Sequence, residues 1–222
     1  MGAAPATLTR QSMSIYPAIS FILILVAMLL YGVVHTLLAS LAVKAWTQRW
    51  LGEWARRTYR LAYNLFAIIS LLPVLALPAL LPDQRLYVIP FPLALVTLAL
   101  QGLAVVALLL GLQQTGVWSF LGLSQLSGNN PSVPHGLVVR GLYRWVRHPL
   151  YSAGLVFIWL TPLMTSNLLA FNLGASIYLI VGAMFEERKL LREFGEEYAS
   201  YRAVTPMLVP GLIRSPKPSQ KP

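Results

Sequence analysis

The stretch PLYSAGLVFIWLTPLMTSNLLAFNLGASIYLIVGAMF, residues 149–185, contains no charged residue. As one helix rising about 1.5 Å per residue it would be about 55 Å long, whereas the hydrocarbon core of a bilayer is about 30 Å thick. The stretch must therefore fold back on itself, and the polar triplet Thr165, Ser166 and Asn167 at its middle marks the turn. It predicts a helical hairpin of two membrane spans of about 17 residues each.

The rest of the chain is apolar in the same way. Only 11% of its 222 residues are charged and 57% are hydrophobic, whereas soluble proteins contain about 25% charged residues. Three more apolar stretches, at about 15–43, 61–82 and 91–112, are long enough for a membrane-spanning helix of about 20 residues. Together with the hairpin they predict an all-α polytopic membrane protein with about five transmembrane helices. Its predicted partner is therefore the lipid bilayer.

The basic residues predict the orientation in the membrane. All of the 17 lysines and arginines except Arg10 and Arg85 fall into three clusters, at 44–60, 140–147 and 188–221. Loops rich in Lys and Arg stay in the cytoplasm, so the clusters predict a cytoplasmic C-terminus and an N-terminus outside. The net charge of +10 is therefore explained by basic loops on the cytoplasmic side of a membrane, and it does not indicate a nucleic-acid partner. The sequence does not indicate a protein partner either.

We predict a single membrane domain over residues 15–214, with flexible ends at 1–14 and 215–222. The chain contains no cysteine, which excludes disulfides, cysteine-ligated metals and a thiol nucleophile. We predict no metal site. His135, in the stretch GNNPSVPHG, is predicted to be an ordinary loop residue.

Polar residues flank the hairpin at matching positions. His148 and Phe185 are equally distant from the middle of the turn, so two similar antiparallel helices bring Glu186 to the level of His148. Pro149 suits the first turn of a helix, whose N-terminus favours an anion. One small volume then holds a cation, an imidazole, a hydroxyl and two carboxylates, from Arg147, His148, Tyr151, Glu186 and Glu187. Such a mixture suits a zwitterionic ligand, and the alternative is an ion pair that only locks the hairpin.

The acidic residues continue into FEERKLLREFGEEYASYR, residues 185–202. Its apolar residues recur at spacings of three and four, which marks one face of a helix. These residues are Leu190, Leu191, Phe194, Tyr198 and Tyr201. We predict an amphipathic helix on the cytoplasmic surface of the membrane.

Three motifs make the chain recognisable. GLYRWVRHPLY at 141–151, followed by EER at 186–188 and FGEEYASYR at 194–202, resembles the membrane methyltransferases of the isoprenylcysteine carboxyl methyltransferase superfamily, which use S-adenosylmethionine. The front half is similar to the bacterial branch of the NnrU and methanethiol S-methyltransferase proteins. That similarity is carried by VHTLLAS at 34–40, KAWTQRW at 44–50 and YRLAYNLFA at 59–67, and TPMLVPG at 205–211, near the C-terminus, is also similar to that branch.

The resemblance implies an S-adenosylmethionine-dependent methyltransferase of the bacterial inner membrane, and it assigns roles to residues. The residues implied to bind the cofactor are Gly141, Leu142, Tyr143, His148, Tyr151, Glu186 and Glu187. The positive charge that assists formation of a thiolate acceptor is assigned to Arg147 and Arg202. The acceptor pocket is predicted to contain His35, Tyr63, Asn64, Tyr198 and Tyr201.

Several alternatives stay open. The predicted acceptor is a small or lipophilic thiol, but apolar walls also admit a lipid amine or a carboxylate. A noncatalytic membrane assembly factor of the NnrU type would use the same fold. Arg202 can instead contact phosphate headgroups, His35 can hydrogen-bond to headgroups or to a neighbouring helix, and Tyr63 and Asn64 can bridge helices. Haem ligation by His35 and His148 is the rival to S-adenosylmethionine as cofactor.

Overall fold

The computed structural model of the protein describes residues 6–126 and 136–211. Its elements in chain order are α1 (Ala6–Ala39), α2 (Leu41–Leu80), β1 (Arg85–Val88), α3 (Leu93–Thr115), α4 (Val117–Leu121), α5 (Leu123–Leu126), a 3-10 turn (Gly141–Arg144), α6 (Pro149–Trp159), β2 (Leu163–Thr165), α7 (Ser166–Phe194) and α8 (Glu196–Val204). The predicted all-α membrane fold is confirmed. The predicted flexible tail at 215–222 and His135 lie outside the described residues.

Four of the described helices are long and apolar enough to cross a membrane. They are Ile15–Ala39 within α1, Leu41–Leu80, Leu93–Thr115 and Ser166–Phe194. The first arm of the predicted hairpin differs, because α6 has only 11 residues and is about 16 Å long. Pro162 explains its early end, since the residue before a proline is disfavoured in a helix. The predicted count of five spans is therefore not confirmed.

The predicted turn of the hairpin is held by a small antiparallel ladder. β1 pairs with β2, with Arg85 opposite Thr165. Oδ1 of Asp83 accepts hydrogen bonds from Ser166 Oγ at 2.8 Å and from the backbone N of Asn167 at 3.0 Å, which caps the start of α7. Burial raises the pKa of Asp83, but hydrogen bonds from Thr165 and these neighbours hold it below its ordinary value.

The chain divides into two compact units, which are described separately. The first comprises residues 1–98 and 161–178, and the second comprises residues 99–160 and 179–222. The predicted single domain over 15–214 stays a prediction. α1 already begins at Ala6, within the segment 1–14 that we predicted to be flexible.

In the first unit, α1 packs closely against α7. Met28 of α1 is 3% exposed, and a Cβ on Gly174 would lie 2.7 Å from its Cβ. Only glycine therefore lets the two helices approach this closely. Tyr178 lies one helical turn after Gly174, so the same packing brings its ring against α1, where a Cβ on Gly32 would lie 3.2 Å from Tyr178 Cδ2.

In the second unit, the predicted amphipathic helix is divided in two. α7 continues to Phe194, and Gly195, with φ of 53°, separates it from α8. A positive φ of this kind is tolerated best by glycine. Tyr198 of α8 is only 1% exposed, so α8 packs into the protein through this ring.

Candidate active site

The N-terminus of α6 positions the central histidine of the site. His148 is the N-cap residue and Pro149 begins the helix, as the sequence predicts. The imidazole is 4% exposed and stacks on the ring of Tyr151, with centroids 5.4 Å apart and planes at 9°. The ring of His148 is therefore held in one orientation by the first turn of its own helix.

Two carboxylates of α7 face this imidazole. Oε2 of Glu186 lies 3.6 Å from Nδ1 of His148, and Oε1 of Glu187 lies 3.5 Å from its Nε2. The predicted approach of Glu186 to His148 is confirmed. Tyr151 is within hydrogen-bonding reach of Glu186. The carboxylate of Glu186 is 46% exposed and that of Glu187 is 8% exposed, so only Glu186 stays open to a ligand.

Arg147 forms a buried ion pair with Glu187. Its Nε donates to Oε1 of Glu187 at 2.6 Å, and its Nη2 lies 2.5 Å from the same oxygen. Its Nη1 donates to the backbone carbonyls of Arg202, at 3.1 Å, and of Thr205. Each guanidinium nitrogen therefore has a protein partner, which supports the locking role that the sequence left open for Arg147.

Arg202 is the more accessible cation. Its Nε lies 3.4 Å from Oε2 of Glu187, and its side chain is 51% exposed. Arg202 therefore neutralises Glu187 through the carboxylate oxygen that Arg147 does not contact, and its side chain is still half-exposed. Of the two arginines assigned to the acceptor, only Arg202 presents a half-exposed guanidinium.

The segment after α8 forms a wall that the sequence analysis did not assign. The backbone N of Arg147 donates to the carbonyl of Pro206 at 2.8 Å, and that of His148 donates to Met207 at 3.1 Å. Ser152 Oγ donates to the carbonyl of Leu208 at 2.6 Å. The N–H of the N-cap residue His148, at the helix end that was expected to favour an anion, is thus used by this wall. The signal for it was the motif TPMLVPG at 205–211.

The other predicted cofactor residues lie in the 3-10 turn before α6. Gly141 has a φ of 63°, and a Cβ there would lie 2.6 Å from the side-chain amide of Gln114, so the turn requires glycine. The backbone carbonyl of Tyr143 accepts a hydrogen bond from Tyr201 Oη at 2.6 Å. Burial, and then Glu186, raise the pKa of Tyr143 to about 12. Leu142 packs towards α3 beside Gly111.

Two buried polar atoms of the site have no hydrogen-bond partner among residues 6–126 and 136–211. They are Nε2 of His148, which lies 3.5 Å from Oε1 of Glu187 without a hydrogen bond of good geometry, and the hydroxyl of Tyr198, which has the guanidinium of Arg147 as its neighbour. Burial, and then Glu187, raise the pKa of Tyr198 to about 12, so this hydroxyl is a neutral donor at physiological pH. A buried polar atom without a partner costs about 1 to 3 kcal/mol. These two atoms, beside an accessible carboxylate, fit the amino-acid end of a zwitterionic ligand.

The predicted acceptor residues fall into two groups. Tyr198 and Tyr201 lie in the second unit, near Glu187 and Tyr143. His35 and Tyr63 lie in the first unit, where the Tyr63 hydroxyl is 2.5 Å from Nε2 of His35, and Asn64 follows Tyr63 on α2. Tyr178, whose hydroxyl is 2.7 Å from Nδ1 of His35, was not predicted. Its signal was a phenol within a span that contains no charged residue.

Comparison with known proteins gives three informative relatives. Methanethiol S-methyltransferase of Mycobacterium tuberculosis is 32% identical over 194 residues, which cover 84% of this chain and 76% of that protein. Methanethiol S-methyltransferase 2 of Bradyrhizobium diazoefficiens is 41% identical over 118 residues, covering 50% and 42%. Protein-S-isoprenylcysteine O-methyltransferase of Homo sapiens is 34% identical over 88 residues, covering 37% and 30%. No protein-family model and no solved structure matches the chain.

The apolar helices and these relatives define the class of protein: the chain is an integral membrane methyltransferase. It belongs to the methanethiol S-methyltransferase family. The resemblance that the motifs at 141–151 and 186–202 predicted is thereby confirmed.

Proposed function

We propose that this protein transfers the methyl group of S-adenosylmethionine to the sulfur of a small or lipophilic thiol. The observation that carries the proposal is the cluster of His148, Tyr151 and Glu186 in a chain that belongs to the methanethiol S-methyltransferase family. The family supports the reaction and the thiol. The cluster supports a cofactor that carries an amino group and a carboxylate.

The residues that would hold the cofactor have distinct tasks. Glu186 supplies an accessible carboxylate for an ammonium group, and His148 and Tyr198 supply the two unpartnered polar atoms. Glu187 is a buried wall of the site and does not bind the ligand, because Arg147 and Arg202 neutralise its charge. The turn from Gly141 through Leu142 to Tyr143 forms the approach to the same place.

S-adenosylmethionine supplies, when bound, a methyl group on a sulfonium that a nucleophile can displace. The chain then has to hold its two ligands in line and exclude water. Arg202 is the proposed stabiliser of the thiolate, because its guanidinium stays half-exposed beside a compensated carboxylate. Arg147 is a positioning residue that fixes Glu187.

We also propose that the chain crosses the bacterial inner membrane five times. β1 precedes α3 and β2 follows α6, yet Arg85 and Thr165 are paired in one ladder. If α3 crosses the membrane, the chain from Pro149 to Thr165 must cross back, although α6 alone is too short. The basic clusters then place the C-terminus in the cytoplasm and the N-terminus outside.

The cofactor is tested by calorimetry on detergent-purified protein. We expect His148→Ala to bind S-adenosylmethionine at least about 10-fold more weakly than the parent, because a hydrogen bond to a charged group is worth about 1.5 to 3 kcal/mol. Affinity for the demethylated product should fall in parallel. The matched control is Arg144→Ala, which changes an exposed residue of the 3-10 turn that precedes α6. Equal affinity of parent and His148→Ala would overturn the cofactor site.

The acceptor is tested by supplying labelled cofactor with a panel of thiols, a prenylcysteine and a lipid amine. Labelling of thiols supports the proposal. Labelling of the lipid amine alone would contradict it, and so would labelling of the prenylcysteine carboxylate alone. Tight cofactor binding with no turnover on any acceptor would instead favour a noncatalytic assembly factor.

A further inference from the structure

The helix α2 is divided into two parts. Its 40 residues, Leu41–Leu80, would be about 60 Å long as one straight helix, which is twice the thickness of a hydrocarbon core of about 30 Å. Gly52 interrupts it, because its φ of 57° and ψ of −136° are not helical and glycine adopts such angles most readily. Residues 41–51 therefore form a separate short helix, which we call the Trp46 helix.

Contacts between α1 and the rest of α2 determine where the Trp46 helix begins and ends. Three pairs of residues meet across the two helices, and they are Tyr31 with Ala67, His35 with Tyr63, and Leu38 with Tyr59. Each step towards the end of α1 is matched by a similar step back along α2, so the two helices are antiparallel. Leu38 and Tyr59 therefore lie at the same level, although they are 21 positions apart in the sequence.

This register makes the Trp46 helix nearly perpendicular to α1. Ser40 lies about 3 Å beyond the level of Leu38, and Glu53, which precedes Tyr59 in α2, lies about 9 Å beyond it. The chain from Ser40 to Glu53 thus rises by only about 6 Å, whereas a helix of residues 41–51 is about 16 Å long. Because α1 is a membrane-spanning helix, the Trp46 helix is inclined by only about 20° to the membrane plane.

The side chains of the Trp46 helix suit the boundary between lipid and water. Trp46 and Trp50 are 62% and 75% exposed, and their ring centroids are 6.2 Å apart. Tryptophan is enriched at this boundary because its ring is apolar and its N–H is polar. Lys44 and Arg49 are exposed on the same helix. The Trp46 helix thus presents rings and positive charges at the level where phospholipid headgroups lie.

A groove on the Trp46 helix combines an aromatic ring, a cation and apolar walls. Its volume is about 510 Å³, and its lining residues are Ala42, Val43, Ala45, Trp46 and Arg49. The small side chains of Ala42 and Ala45 leave room beside the indole of Trp46. In the described part of the chain no carboxylate forms an ion pair with Arg49, whereas Arg56 pairs with Glu53 at 2.6 Å. The guanidinium of Arg49 is therefore open to an anion from outside the chain.

We propose that the Trp46 helix lies in the membrane surface and binds an acidic phospholipid, with the phosphate on Arg49 and the acyl chains along Trp46. Charge complementarity determines the choice of lipid, because the Trp46 helix contains Lys44 and Arg49 and no acidic residue. A basic segment at a bilayer surface attracts anionic headgroups, whereas a zwitterionic headgroup offers no net charge. The site belongs to the first unit alone and does not depend on the methyl-transfer reaction.

The orientation is tested with spin labels, for which a chain without cysteine is well suited. Val43→Cys and Trp50→Cys place labels on one face of the Trp46 helix, two turns apart. In a bilayer we expect their depths to differ by less than about 4 Å, because the helix lies nearly in the membrane plane. Ile69→Cys, at an exposed position further along α2, is the deep reference. A depth difference of about 10 Å, as in a helix that continues the span outwards, would overturn the proposal.

The lipid is tested by native mass spectrometry of the full chain with phosphatidylglycerol and phosphatidylcholine that carry the same acyl chains. We expect the parent to retain phosphatidylglycerol in preference to phosphatidylcholine. In Arg49→Gln this preference should fall about fivefold, the value of one basic residue at an anionic surface. The matched control is Arg56→Gln, which removes the same charge from an exposed residue beyond Gly52 and should keep the parent's preference.

Trp46→Ala separates the contribution of the ring from that of the charge. It should weaken the binding of both lipids by a similar factor, because the ring contacts the acyl chains that the two lipids share. Equal retention of the two lipids by the parent, or an Arg49→Gln variant that behaves like the parent, would overturn the site. Equal losses in Arg49→Gln and Arg56→Gln would also overturn it, because the whole basic cluster would then attract the lipid.

The proposed function is tested separately from this site. Affinity for S-adenosylmethionine should equal that of the parent in Arg49→Gln and Trp46→Ala, since neither residue belongs to the proposed cofactor site. A failure of the lipid experiment therefore leaves the proposed function intact.

Discussion

At Arg147 the important partners are charged, whereas at His35 they are neutral hydroxyls. The guanidinium of Arg147 and the carboxylate of Glu187 are 9% and 8% exposed, and each guanidinium nitrogen is used. His35 is bonded only through phenols among the described residues.

The difference concerns the cost of losing one partner. Removing either charge of a buried ion pair leaves the other charge uncompensated. Removing one partner of a neutral hydrogen bond leaves no charge behind and costs less. We therefore expect the two clusters to respond differently to substitution.

The largest effect should follow from breaking the buried ion pair. Glu187→Ala should lower the free energy of unfolding by about 3 to 5 kcal/mol, because Arg147 remains buried without its counter-charge. Chemical unfolding in detergent measures the cost. The matched control is Glu53→Ala, which breaks an ion pair with Arg56 whose side chains are 65% and 68% exposed, and should cost less than about 1 kcal/mol. Similar costs for both variants would contradict the argument that burial makes the Arg147–Glu187 pair costly to break.

A smaller effect should follow from removing one hydroxyl of the neutral cluster. Tyr63→Phe should cost about 1 kcal/mol of unfolding free energy, the ordinary value of one neutral hydrogen bond. Tyr31→Phe, which loses only a contact of 3.4 Å to a backbone carbonyl, should cost less. If Tyr63→Phe destabilised as strongly as Glu187→Ala, the contrast between the charged partners of Arg147 and the neutral partners of His35 would be contradicted.

The smallest effect should have the opposite sign. Tyr198→Phe removes a buried hydroxyl that makes no hydrogen bond of good geometry in the described chain, although Arg147 is its neighbour, so the ligand-free protein should gain up to about 1 kcal/mol of unfolding free energy. Cofactor affinity should fall in the same variant if this hydroxyl contacts the ligand. A stabilised variant with unchanged affinity would place Tyr198 outside the cofactor site.

Periodicity and spacing predicted much of the site. The approach of Glu186 to His148 follows from their equal distances from the turn and is confirmed. The first arm of the hairpin is nevertheless a helix of 11 residues followed by β2, and not one continuous helix of about 17 residues.

The sequence by itself determined the membrane class, the apolar spans and the pairing of charged motifs, since these follow from hydropathy, charge position and residue spacing. Only the tertiary structure decided that all guanidinium nitrogens of Arg147 bind Glu187 or two backbone carbonyls, while the side chain of Arg202 stays accessible. It also brought Tyr178 to His35, at a sequence separation of 143 residues. Such contacts depend on how closely helices approach, as Gly174 against Met28 shows, and a linear pattern does not encode that distance.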